Sequence, residues 1–225
     1  MIIERYEMRD TRKEGGVVII SGPSGVGKST ICKEVVNQLS NVYHSISVTT
    51  RPMGKGETNG SDYWFISKQE FQERIEKGML LEYAEVFGHL YGTTKDKVDE
   101  QLKAGKIVIL EIDVQGAKQA KIVYPKAVMI FILPPSAKVL AERIGRRGRE
   151  GLEEAEERLD EASSEIAAAW QYYEHMVINE DLQQAVREIV QIIQENLLDN
   201  KSEGDNQVNI RRNDVRRAQE RKNNQ

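Results

Sequence analysis

The sequence predicts an α/β fold in three layers, a central parallel sheet flanked by helices, with a small β-rich insertion and a helical lid. Three observations carry this. Short continuous apolar runs, of the kind a strand buried on both faces requires, recur along the chain, and segments with helical character follow them. The first run enters its helix through a glycine-dense turn. Between residues 47 and 94 the alternation gives way to clustered turn residues and short aromatic segments.

After a charged leader, 1–14, the run Val17-Val18-Ile19-Ile20-Ser21 is the first expected strand. A helix over about residues 28–39 follows, with Ile31, Val35, Val36 and Leu39 at helical spacing. Residues 107–112 and 127–133 repeat the buried-strand pattern, and strands alternating with helices imply parallel pairing through right-handed crossovers. A short strand at 176–178 precedes a helix over about 182–198, where Ala185, Ile189, Ile192 and Ile193 share one face. The core is therefore expected to comprise 15–46, 95–135 and 174–198, with the insertion at 47–94 and the lid at 136–173. Little helix is expected in the insertion. In the lid, Arg143, Arg146, Arg147 and Arg149 stand among Gly145, Gly148 and Gly151, a pattern suited to a hinged cover. Residues 199–225 lose periodicity and are rich in Asn, Gln and Arg, so they read as a disordered tail.

Composition narrows the function. The 225 residues are 39% hydrophobic and 30% charged, a soluble globular mix able to bury a core without staples. The lone Cys32 excludes an internal disulfide and a cysteine zinc cluster and points to a reducing compartment, so a cytoplasmic location is expected. No run of eighteen apolar residues occurs, and the opening Met1-Ile2-Ile3-Glu4-Arg5 lacks the apolar core of a signal peptide, so no membrane partner is expected. The net charge of -4 argues against nucleic acid as a partner. Oligomeric state is left open. His44, His89 and His175 stand apart without ligand spacing and receive no role.

Gly22-Pro23-Ser24-Gly25-Val26-Gly27-Lys28-Ser29 fits G-x-x-x-x-G-K-[ST] between an expected strand and an expected helix, the context that marks a phosphate-binding P-loop. Its glycines let consecutive amides point at phosphate oxygens, and the helix N-terminus adds positive potential. Lys28 would neutralise β and γ phosphates, and Ser29 would offer its hydroxyl to Mg²⁺. ATP is thus the expected co-substrate and Mg²⁺ the expected cofactor, with residues 22–30, Thr30 included, as the ATP-binding stretch. Leu110-Glu111-Ile112-Asp113 resembles the acidic strand tip of nucleotide-binding folds, and read alone it is equally an exposed strand end.

The cradle does not identify the acceptor. Ser45-Ile46-Ser47-Val48-Thr49-Thr50-Arg51-Pro52, then Gly56-Glu57, Gly60 and Asp62-Tyr63, resembles the monophosphate-binding region of guanylate kinases. The resemblance continues through Glu82-Tyr83-Ala84-Glu85-Val86, Tyr91-Gly92-Thr93, Asp113-Val114-Gln115-Gly116, Leu133-Pro134-Pro135-Ser136, Arg147-Gly148 and Val177-Ile178-Asn179. It implies transfer of the γ-phosphate of MgATP to GMP, with dGMP as a second acceptor. It assigns Arg51, Tyr63 and Tyr91 to the acceptor's phosphate, and Glu82 and Ser47 to the guanine edge, with Thr93 and Asp113 in support. Among lid arginines it assigns Arg147 and Arg158 to the transferring group, with Arg143 alongside. Lys28, Arg51, Arg147 and Arg158 are the expected catalytic set. Read singly, Glu82 is a solvated acid, Ser47 a strand hydroxyl, Arg51 a surface charge, and Tyr63 and Tyr91 could be core.

One departure stands out. The family commonly carries a second arginine three residues after the first, where this chain has Gly54 followed by Lys55, which lacks a planar fork. A weaker hold on the acceptor is expected. Two alternatives share much of the pattern: a P-loop kinase of a phosphorylated sugar, and a non-catalytic guanylate-kinase-like module binding phosphopeptides. A regulatory GTPase would need an Asn-Lys-x-Asp segment, which is not found.

Overall fold

The computed structural model describes residues 15–146 and 152–199. The expected leader, Arg147, Arg149 and the tail beyond 199 lie outside the described residues. Along the chain, β1 (Val17–Ser21) passes through the glycine turn into α1 (Lys28–Gln38) and returns as β2 (Val42–Ser45). Four short strands and a helix follow: β3 (Val48–Thr49), β4 (Trp64–Phe65), α2 (Lys68–Glu76), β5 (Leu80–Val86) and β6 (His89–Thr94). The chain then rejoins the core through α3 (Lys95–Lys103), β7 (Ile107–Glu111), α4 (Val114–Val123) and β8 (Val128–Leu133). It ends with α5 (Ala137–Arg146), α6 (Leu152–Tyr172), β9 (His175–Ile178), α7 (Leu182–Ile193) and a π-helical turn, Gln194–Asp199.

The large sheet has the order β2-β7-β1-β8-β9, and every neighbouring pair is parallel. Its apolar runs are continuous because both faces are covered. On one face Val18, Ile20, Ile109 and Ile130 pack with Ile31 and Val35 of α1 and Ile189 and Ile193 of α7. On the other, Ile19, Leu110, Met129 and Phe131 meet Ala117 and Ala120 of α4 and Ala169 of α6. Successive strand residues alternate between the two cores, as a period of two demands. The carboxyl end of the central β1 opens onto the glycine turn.

The small sheet has the order β4-β3-β6-β5, in which β6 runs antiparallel to both β3 and β5. Contrary to the expectation of little helix, this segment also holds α2. Its start is written as Ser67-Lys68-Gln69-Glu70, a capping-box spacing, and the Ser67 hydroxyl accepts from the Glu70 amide at 3.1 Å. Phe71 buries the helix against the sheet. The last helix is also shorter than its pattern: α-geometry stops at Ile193 and the π-turn carries the chain to Asp199.

Phe131 is fully buried and meets Tyr173 edge to face at 5.1 Å between centroids. Phe131→Ala should lower unfolding free energy by about 3–5 kcal/mol, seen as an earlier denaturant midpoint at unchanged slope. A loss below about 1 kcal/mol would contradict this packing.

Candidate active site

A cleft of about 760 Å³ lies between the carboxyl edge of the large sheet, the small sheet and α6. The glycine turn forms one wall. Gly22, Gly25 and Gly27 all have positive φ, at 152°, 82° and 102°. A Cβ at Gly22 would also stand 2.5 Å from the Ile132 carbonyl oxygen, so the turn can curl only without side chains there. Gly22, Ser24, Gly25, Gly27, Lys28, Ser29 and Thr30 line the cleft. Pro23 and Val26 do not face it. The Pro23 carbonyl accepts from the Val26 amide at 3.2 Å, and the Val26 side chain is fully buried. The Val26 carbonyl accepts from Asn179 Nδ2 at 2.7 Å and Arg143 at 3.2 Å, and Arg143 also donates to the Asn179 carbonyl at 3.1 Å. Arg143 therefore ties α5 to the underside of the turn. The Lys28 ammonium donates to the carbonyls of Gly22 and Pro23.

Beneath Lys28, the strand tip supplies a second feature. Ser29 donates to Glu111 Oε1 at 2.6 Å, while His44 Nε2 lies 3.2 Å from Glu111 Oε2. Burial pushes the Glu111 carboxyl up, but His44, Ser29 and Lys28 outweigh it and hold the pKa below the usual range. Glu111 is therefore ionised. Sequence reasoning gave His44 no role because its partner lies 67 positions away on the neighbouring strand. Cys32, His44 and Glu111 bring ligand atoms within 4.8 Å of one another. Burial, seconded by Glu111, pushes the Cys32 thiol well above its ordinary value, so sulfur here is a packed neutral thiol. The oxygen pair Ser29–Glu111 suits a hard cation better.

The small sheet forms the facing wall. The threonines of Thr49-Thr50-Arg51 pin this segment to β6: Thr49 Oγ1 donates to the Leu90 carbonyl at 3.0 Å and Thr50 Oγ1 accepts from the Leu90 amide at 2.9 Å. Arg51 is thereby held beside Tyr91. Its guanidinium donates to both carboxylate oxygens of Glu57, at 2.8 and 3.0 Å, and its carbon sits 5.6 Å from the rings of Tyr63 and Phe65. Tyr63 meets Tyr91 edge to face at 5.8 Å, and burial pushes its phenol well above the ordinary range, so it stays a donor. Both tyrosines line the cleft.

Ser47 and Glu82 line the same wall at 8% and 4% exposure. Glu82 is not a solvated acid: burial pushes its carboxyl up to about 7, with Asp113 adding to the rise. Thr93 is fully buried opposite Glu82 in the β5–β6 ladder and does not itself line the cleft. Neither Glu82 Oε1 nor Thr93 Oγ1 has a hydrogen-bond partner among the described residues. Two elements of the Asp113-Val114-Gln115-Gly116 motif explain this placement. Asp113 caps α4 by accepting from the Gly116 amide at 2.7 Å. Gly116 leaves room for the carboxylate, because a Cβ there would stand 2.3 Å from Glu82 Oε2.

From α6, Arg158, Glu161 and Glu165 line the cleft. Arg158 donates to Ser24 Oγ of the glycine turn at 3.3 Å and lies 4.9 Å over the Phe87 ring. Glu165, pushed up to about 7 chiefly by burial, was not foreseen, since acids on a charged helix carry no signal of facing a cleft. The cleft thus joins a glycine cradle to a pocket with a cationic fork, two phenols and a buried carboxyl.

Known proteins of one family share this chain's sequence and fold. The Guanylate kinase family model matches residues 14–196. A guanylate kinase of Carboxydothermus hydrogenoformans is 43% identical over 180 residues, covering 80% of this chain and 88% of that protein. One of Clostridioides difficile is 46% identical over 181 residues, with the same two shares. The crystal structure of guanylate kinase from Anaplasma phagocytophilum superimposes with a TM-score of 0.69 at 30% identity, over 83% of this chain and 88% of that one.

The Glu82 carboxyl makes stability depend on pH. Its folded pKa of about 7 exceeds the ordinary 4.5, so the folded state holds the proton more tightly. This contribution is fully present below about pH 4.5 and is lost as pH rises through about 7, an effect on the order of 3 kcal/mol. Glu82→Gln should flatten the fall in unfolding free energy between pH 5 and 8. Parallel slopes in the two proteins would show that Glu82 ionises as an exposed acid does.

Proposed function

The chain belongs to the guanylate kinase family, and from that premise we infer what each part of the cleft does when a phosphoryl group passes from ATP to GMP. The overall reaction gives ADP and GDP, and dGMP, with the same base and phosphate, is a further acceptor in this reading. The observation that carries the assignment of the two subsites is that one cleft holds both the complete glycine cradle and the buried Glu82.

The cradle amides and Lys28 receive the triphosphate, Lys28 leaving the Gly22 and Pro23 carbonyls for phosphate oxygens. Thr30, at the mouth of α1, completes the ATP side. Glu82 accepts from guanine N1–H and the exocyclic amine, and Ser47 donates to O6. Thr93 and Asp113 back this edge. Adenine presents the reverse polarity and would leave the buried carboxylate unpaired, a mismatch worth roughly 10⁴–10⁵ in discrimination. The Arg51 fork makes two charge-assisted bonds to the acceptor phosphate in place of those to Glu57, with the Tyr63 and Tyr91 phenols donating beside it. The acceptor phosphate is already an anionic nucleophile, so no general base is required. Arg158 and Arg147 stabilise charge spread over the moving group as the nucleotides are held in line.

Mg²⁺ fits the donor set: the Ser29 hydroxyl would hold it, with the ionised Glu111 carboxylate close by for its water shell. When bound, the ion spreads and neutralises charge on the β and γ phosphates. Among the described residues no helix is long and apolar enough to cross a membrane. A cytoplasmic setting is supported by the single thiol.

ATP consumption with GMP, dGMP, AMP, UMP and a ribose bisphosphate offered separately tests the acceptor. Activity should be confined to the two guanine nucleotides; turnover of the sugar would favour the alternative kinase, and silence with all five a binding module. Lys28→Ala should lower kcat by about 10²-fold or more while leaving the unfolding free energy within about 0.5 kcal/mol of the parent. Gly54 has no left-handed φ, so its backbone accepts an arginine. Gly54→Arg should lower KM for GMP several-fold by adding a second fork, and an unchanged KM would show that Gly54 costs nothing.

A further inference from the structure

Phe87 satisfies neither of the usual reasons for an aromatic residue. It is 41% exposed, so burial does not place it. With Gly88 it forms the two-residue turn between β5 and β6, flanked by the pair Val86–His89. Both turn residues have positive φ, 48° at Phe87 and 71° at Gly88, which is the hairpin geometry that favours Asn-Gly. Among the described residues Phe87 alone combines a side chain with positive φ. Strain at such a position marks a residue kept for something other than folding.

Its ring faces the cleft, 4.9 Å from the Arg158 guanidinium carbon. The same guanidinium donates to Ser24 Oγ in the cradle at 3.3 Å. One cation from α6 therefore touches the ATP-side loop while lying over an aromatic face supplied by the acceptor-side sheet. A guanidinium is attracted to the ring quadrupole, and its planar shape directs its N–H groups outward in the plane while its face is covered.

We propose that Phe87 is a positioning residue, which through its ring holds the Arg158 guanidinium at the junction of the two nucleotide subsites. This rests on the reading of Arg158 as a contact to the moving phosphoryl group. Phe87 belongs to the small sheet, so Arg158 is held against the same wall of the cleft that carries Arg51. The ring touches no substrate in this scheme, so its effect falls on kcat rather than on GMP binding.

Steady-state kinetics of the full chain, saturating each nucleotide in turn, tests this. Phe87→Ala and Phe87→Leu should each lower kcat about three- to tenfold, with KM for GMP within twofold, and Phe87→Trp or Phe87→Tyr should restore kcat to within twofold. Full kcat in the Leu variant, or a change confined to KM, overturns the proposal, since apolar bulk alone would then suffice. Phe87→Asn separates function from folding: it suits the turn, so its denaturant midpoint should rise while kcat falls as in the Ala variant. Parental kcat in the Asn variant overturns the proposal. In an Arg158→Ala background, Phe87→Ala should have no further effect on kcat; independent, multiplicative losses would show that the ring acts elsewhere. Arg158→Ala with parental kcat overturns the reading of Arg158 itself. A low kcat in that variant beside parental kcat in Phe87→Ala overturns only the inference about the ring.

Discussion

Everything in the cleft depends on how α4 of the large sheet grips β5 of the small one. Gln119 presents its amide as a surrogate strand edge, donating to the Tyr83 carbonyl at 2.8 Å and accepting from the Tyr83 amide at 3.3 Å. One turn earlier, Gly116 is the place where the Glu82 carboxylate fits. These contacts fasten β5, which carries Glu82, to the end of the sheet that carries the P-loop. They also impose a cost, because a carboxylate is kept out of water with one oxygen unpaired among the described residues. Such a group is inexpensive only when a ligand with matching donors covers it, so discrimination and desolvation have the same source.

The cations show a related economy. Lys28 rests on two carbonyls of its own loop, Arg51 on the two oxygens of Glu57, and Arg158 on a hydroxyl and a ring. Each already lines the cleft, held by contacts within the protein instead of extending into solvent. Preorganisation of this kind removes the reorganisation that water would need as charge moves. The Lys33–Asp62 ion pair, 3.0 Å long, adds a link between α1 and the acceptor-side segment just before Tyr63.

Much of this was legible in the residues, and for particular reasons. The strands of the large sheet are buried on both faces, so β1, β7 and β8 stand out as unbroken apolar runs. The cradle is legible because few backbones other than a curled, glycine-dependent turn would need that spacing ahead of lysine and serine. The small sheet was harder. Strands of two residues, such as β3 and β4, offer no period, and α2 announced itself only through Ser67 and Glu70. Individual site residues were least legible. Nothing local tells Glu82 from any other acid in a strand, and its burial is decided by Gly116, 34 positions on. The His44–Glu111 contact and the inward Glu165 likewise arise from packing between distant segments. Resemblance to a family supplied Arg51, Tyr63, Tyr91 and Glu82, and geometry then supplied the reason why the intervening threonines and glycine are there.

Cys32 sits wholly buried on the inner face of α1, the helix that follows the P-loop, its thiol held protonated by its surroundings. A neutral sulfur sealed from solvent reacts slowly with oxidants and alkylating reagents alike. Since it is the chain's single cysteine, two engineered thiols, one on each wall, would be the reactive handles on the folded protein. Paired dyes or spin labels could then report the distance between the subsites in solution, with the native sulfur left in place.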